Sequence, residues 1–182
     1  VYEFPALPRS TFHGLPGLLA DSLPDKFGNA LIDAWLATQG RAPESFGAIE
    51  RLCYTGTRGM GALEFAPVLG PRPRTATRVR IDALVRLASD VLTHRDEMQA
   101  TFAGPAREKA LNDILRVGTS AGGARAKAVI AWNRETNEVR SGQIAAGEGF
   151  EYWLLKFDGV AGNRDKELDD PKGYGAIEYA YH

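Results

Sequence analysis

One cysteine, Cys53, stands alone in 182 residues, so no internal disulfide can form. That usage fits a reducing compartment, and the cytoplasm is the expected location. Cys53 lies between Leu52 and Tyr54 and reads as a small buried hydrophobe rather than a reactive thiol. Histidine is almost as scarce. His13, His94 and His182 are far apart, and none has a neighbour at metal-ligand spacing, which argues against zinc. Neither sign of charge dominates. A net charge of −1 supplies no basic field for nucleic acid or for an anionic membrane. No apolar run approaches the length of a membrane span. The opening residues, Val1 to Pro5, lack the basic-then-apolar order of a signal peptide. Also missing are a Walker Gly-Lys-Ser/Thr, a Gly-x-Gly-x-x-Gly loop and a Gly-x-Ser-x-Gly elbow.

What remains has the proportions of a globular domain, 44% hydrophobic and 25% charged. Its first two thirds read as helix. Leu18, Leu19, Leu23, Phe27, Leu31, Ile32, Trp35 and Leu36 recur near helical spacing. Pro24 divides them, so a short helix would end at Asp21 or Ser22 and a longer one would start from Leu23, with Pro24 in its first turn. Asp25 is favourable near the positive end of the second helix, and Gly40 should terminate it. Capping is the reading preferred for Asp21, Ser22 and Asp25 over any catalytic one. A short helix is expected from Glu44 to Tyr54, with Phe46, Ile49, Leu52 and Cys53 inward. Residues Ala62-Leu63-Glu64-Phe65 alternate like a short strand. Gly70 to Arg80 reads as a loop; its arginines, Arg72, Arg74, Arg78 and Arg80, form a solvated loop or a basic contact patch. Ile81 to Met98 is an amphipathic helix, with Ile81, Leu84, Val85, Ala88, Val91 and Leu92 on one face. Pro105 to Leu115 is a further helix with proline in its first turn.

The pattern then changes. A small-residue loop, Thr119-Ser120-Ala121-Gly122-Gly123-Ala124-Arg125, leads into the apolar run Val129 to Trp132. A polar turn follows at Asn133–Asn137, and a second apolar run, Tyr152 to Leu155, ends on Lys156. A loop without side-chain bulk lets backbone N–H groups approach phosphate oxygens, although Gly122-Gly123 also suits an ordinary turn. A lysine closing a neighbouring strand can bring a point charge to the same phosphates. Glu178, on the next helical stretch, is either the partner of Lys156 or a surface residue.

The expected architecture is α+β, a helical subdomain over residues 1–116 plus a small antiparallel sheet. Residues 117–182 form a nucleotide-binding strand-turn-strand region and the start of the following helix. The chain opens on Val1 and closes on a helical pattern without a stop signal, and is expected to be a segment of a longer protein.

Several phrases together resemble the HipA family of serine/threonine-kinase toxins from bacterial toxin–antitoxin modules. They are the run from Gly14 to Asn29 (Gly-Leu-Pro-Gly-Leu-Leu-Ala-Asp-Ser-Leu-Pro-Asp-Lys-Phe-Gly-Asn), the run from Gly56 to Leu63, Ser120 to Lys127, Trp153 to Asp158, and Ile177 to Tyr181. The resemblance implies most of the N-terminal lobe of a fold related to protein kinases. It implies ATP binding through Ala121, Gly122, Gly123, Ala124, Arg125, Lys127 and Lys156, and autophosphorylation at Ser120. Magnesium would be held by residues outside this segment. No kinase catalytic-loop or Asp-Phe-Gly-like motif occurs in the 182 residues, so the segment alone is expected to be inactive. The implied partners are a HipB-like DNA-binding antitoxin, which makes any nucleic-acid contact indirect, and a protein substrate such as an aminoacyl-tRNA synthetase; no membrane is involved. Two other readings stand beside this one: a non-catalytic protein-interaction module, and an unrelated small nucleotide-binding domain.

Overall fold

The computed structural model describes residues 6–59, 62–72, 75–76, 78–93, 115, 126–160 and 173–181. A 3-10 turn at Arg9–Phe12 comes first among the described residues, followed by two helices, α1 (Gly17–Asp21) and α2 (Lys26–Thr38). Asp25 is the N-cap of α2, and its Oδ1 accepts from the Gly28 N–H at 2.8 Å. The far end closes by a Schellman arrangement. The Gly40 N–H donates to the Ala37 carbonyl and the Arg41 N–H to that of Leu36, with Gly40 at φ +66°. Both ends of α2 are therefore written into the sequence.

A single 3-10 turn at Pro43–Ser45 precedes α3 (Ala48–Thr55). The expected helix from Glu44 thus starts four residues late, because Gly47 interrupts it and becomes its cap. Ile49 consequently falls in the first turn and is exposed, whereas Leu52 and Cys53, in the later turns, are buried. That corrects the inward placement of Ile49. The strand expected at residues 62–65 is also absent. In its place the segment folds back under α3, with the Phe65 N–H on the Gly56 carbonyl and the Leu69 N–H on that of Cys53. Alternation alone does not make a strand without a partner ladder.

Helix α4 (Ile81–Thr93) turns Leu84, Leu87, Ala88, Val91 and Leu92 inward. Ile81 lies at its mouth, 38% exposed. The helix expected at Pro105–Leu115 lies outside the described residues except for Leu115, which is buried.

Three strands follow: β1 (Lys127–Asn133), β2 (Glu138–Ser141) and β3 (Glu151–Lys156). They form an antiparallel sheet in the order β2-β1-β3. The polar turn after β1 uses Asn133 Oδ1 to accept from the Glu135 and Thr136 N–H groups. Sequence reading paired β1 with β3 but missed β2, whose Glu-Val-Arg-Ser carries one apolar residue. The loop before α4 reaches this sheet too, through a bridge between Arg78 and Arg140 and the Val79 N–H on the Val139 carbonyl. Gly142 passes so close to β1 that an added Cβ would meet the Ile130 carbonyl carbon at 2.8 Å, so only glycine fits there. A final helix, α5 (Tyr174–Tyr181), closes the described chain.

One core joins helices and sheet. Phe27, Ile32 and Leu36 of α2 and Val91 of α4 meet Ala128 and Ile130 of β1, with Phe157 and Val160 just beyond β3. Trp35 stacks edge-on against both Phe46 and Tyr54, at 5.9 and 5.0 Å between centroids. Cys53 is buried, as expected of filler. No described helix is long and apolar enough to cross a membrane.

Tyr54 carries a consequence for alkaline stability. Its ring lies beneath the Arg58 guanidinium, 4.8 Å from the centroid. Its hydroxyl has no hydrogen-bond partner among the described residues. Burial pushes its pKa from 10.0 up to about 12, against the opposing pull of Arg58. In the unfolded chain the phenol ionises first. Stability from this group is therefore full below about pH 10 and is lost as pH rises through about 12. A Tyr54→Phe variant should show a smaller fall in urea midpoint than wild type between about pH 9 and about pH 11. Equal falls in the two proteins would contradict the assignment.

Candidate functional site

Sheet pairing brings two lysines together that are 29 positions apart in sequence. Lys127 opens β1, Lys156 closes β3, and the two are direct register partners. Like charges placed opposite one another on antiparallel strands repel. Each lysine accordingly has its own carboxylate. Lys127 Nζ lies 3.4 Å from Asp25 Oδ2, with side chains only 4% and 9% exposed. Lys156 Nζ donates to Glu178 Oε1 on α5, with side chains 45% and 34% exposed. The row reads carboxylate, lysine, lysine, carboxylate, with the buried couple on one side and the open couple on the other.

Local structure explains each placement. Asp25 is held by its capping bond. Its neighbour on the next turn, Asn29, donates to the Pro24 carbonyl at 2.7 Å and accepts from Arg51 Nη1 at 2.8 Å. Arg51 also meets the buried Asp33 at 2.9 Å. A polar chain thus runs from α3 along α2 to β1. Glu178 is oriented differently. Asp158, two residues past Lys156, accepts from the N–H groups of Gly173 at 2.8 Å and Gly175 at 3.2 Å. A carboxylate at the start of α5 suits the positive end of that helix and ties it to the strand carrying Lys156.

Of the residues expected to bind nucleotide, Lys127 and Lys156 are described and adjacent. Glu178, read as either a partner or a surface residue, accepts from Lys156 Nζ through Oε1. Ser120, Ala121, Gly122, Gly123, Ala124 and Arg125 lie outside the described residues. Asp25 was read from sequence only as a cap, and its second role with Lys127 had no local signal. Neither did Asp158, whose partners lie 15 and 17 positions on. A separate surface cluster also went unread. The Arg134 guanidinium lies 5.4 Å from the ring centroids of both Trp132 and Trp153 and 3.0 Å from the Glu151 carboxylate.

Among the described residues, no group of three or more histidine, cysteine, aspartate or glutamate side chains is arranged to hold a metal ion. Fold and site together define an α+β domain whose three-stranded sheet ends in an opposed lysine pair flanked by carboxylates. Residues 3–66, which include Asp25 and the whole of α2, match the family model described as the HipA N-terminal domain. That match supports a HipA-family segment at residues 3–66 of this chain. No curated protein and no solved structure matches it.

Proposed function

We propose that this chain is the nucleotide-binding part of a HipA-like serine/threonine kinase of a toxin–antitoxin module. The observation that carries the reading is the contact between Lys156, at the end of a sheet strand, and Glu178 on the following helix. In kinases a strand lysine meets ATP phosphates and is held there by a helix glutamate. An exposed ammonium beside a buried ion pair also fits an anionic ligand: Glu178 holds it in place, and solvent access leaves a path for phosphate oxygens. The segment Ser120–Arg125, which precedes β1 in sequence, would supply backbone N–H donors, with Ser120 as the autophosphorylation site. ATP would supply the phosphoryl group and magnesium would neutralise charge on the phosphates, while Lys156 orients them. Transfer to a protein such as an aminoacyl-tRNA synthetase, and control by a HipB-like antitoxin, follow from the family resemblance.

A second reading has its own support. Tyr152, Trp153, Leu154, Ile177, Tyr179 and Tyr181 are all exposed, which suits a protein-interaction module without nucleotide. The two readings part on ATP. Titration of the full-length protein with ATP, with and without magnesium, should show saturable binding that phosphate-free adenosine does not reproduce. Absence of any ATP binding in both conditions would leave the interaction module as the better reading.

A further inference from the structure

We propose that the first turn of α2 is a positioning clamp for Lys156, and that Lys127 acts within it through Asp25 rather than as a phosphate ligand. This rests on the nucleotide reading above.

The clamp has a polar half and an apolar half, two residues apart on one helix. Asp25 holds Lys127, the residue directly across the ladder from Lys156. Phe27 packs its ring edge-on against Phe157, the residue next to Lys156 in sequence, at 6.2 Å between centroids. Both rings are fully buried. The Phe157 N–H donates to the Ala126 carbonyl at 2.9 Å, which extends the β1–β3 ladder one residue past Lys156. Lys156 is thus bracketed by two residues, one across the ladder and one along the chain, and α2 grips both.

The chemistry of Lys127 argues for this role. Its ammonium is almost wholly buried and already faces a carboxylate that the helix cap holds rigid. Swinging it towards phosphate would break a buried ion pair, a costly step. Left in place, the pair cancels the charge that would otherwise repel Lys156 across the strand. The open lysine then keeps its orientation and its full attraction for an anion.

The test is ATP affinity in the full-length protein for wild type, Asp25→Asn, Lys127→Met and the double variant, each also placed on Lys156→Ala. Asparagine keeps an oxygen for the cap, and methionine keeps the bulk of the lysine stem. Each single variant is expected to weaken ATP binding about fivefold, and the double variant no more than either one. On the Lys156→Ala background, none of them should weaken it further. A purely structural role would cost affinity on both backgrounds alike and would overturn the clamp. Tighter ATP binding by Asp25→Asn would also overturn it, because Lys127 released from its partner would then be a phosphate ligand. If a single variant fails to fold, the double variant, which buries no lone charge, carries the same comparison with Lys156→Ala. Unchanged affinity in all variants overturns the clamp alone. A wild-type protein that binds no ATP overturns the nucleotide reading, and the clamp with it.

Discussion

Lys156→Ala in the full-length protein is expected to lower ATP-dependent phosphate transfer by about tenfold or more. Phosphoryl transfer depends mainly on position and on neutralised charge. A lysine matched to the phosphates contributes both, and alanine removes both. Lys156→Arg should recover little, because a planar fork does not replace a compact ammonium beside Glu178. Glu178→Gln should act in the same direction but more weakly, since it loosens the lysine without removing it. Phosphate incorporation into a protein substrate, measured beside nucleotide affinity, separates these effects. Wild-type transfer by Lys156→Ala would remove Lys156 from the site. Loss of transfer in Lys156→Ala with full activity in Glu178→Gln would keep the lysine and discard its partner.

Phe27→Ala should be among the most destabilising single changes, costing about 3–5 kcal/mol. The ring is fully buried and sits where three elements meet: α2, the end of β1 and the residue after β3. Local movement to fill a cavity there is opposed by the buried Asp25–Lys127 pair, which holds the start of the same helix. Urea unfolding should show a lower midpoint. A loss below about 1 kcal/mol would mean that the site collapses around the missing ring. Phe27→Leu, which keeps most of the volume, should recover much of the loss. Lys156 and Phe27 are two halves of one arrangement, the first open to solvent and the second buried against Phe157, the residue that follows Lys156.

Much of the helical part was legible along the chain because its signals are local. Pro24 and Asp25 announce the start of α2, and Gly40 announces its end, through bonds that span only three to five residues. Most of the inward face of α4 follows from spacing, but Ile81 is exposed and the buried Leu87 was not among the residues read as inward. A pattern that needs a neighbour to give it meaning is not legible along the chain. Ile49 has the right spacing for a core face, but its helix begins too late to cover it. Residues 62–65 alternate correctly but pair with no strand among the described residues. Strand β2 is nearly all polar and exists because β1 offers it a ladder.

The candidate site divides in the same way. The lysine closing an apolar strand was visible, since a charge there needs a partner or an opening. So was the possibility of Glu178, because the resemblance to kinases supplied a role for it. Composition and residue order by themselves determined that no internal disulfide forms, that helices precede a small antiparallel sheet, and that Lys156 ends one of its strands. Only the tertiary structure decided that Lys127 belongs to Asp25, 102 positions earlier. It also decided that the two lysines stand face to face and that α2 grips the strand end carrying Lys156. The reason is physical. Caps and periodicities act within a few residues, where the chain itself sets the distance. Cross-strand register and buried ion pairs depend on which surfaces meet after the core has closed, and nothing local to either partner encodes that distance.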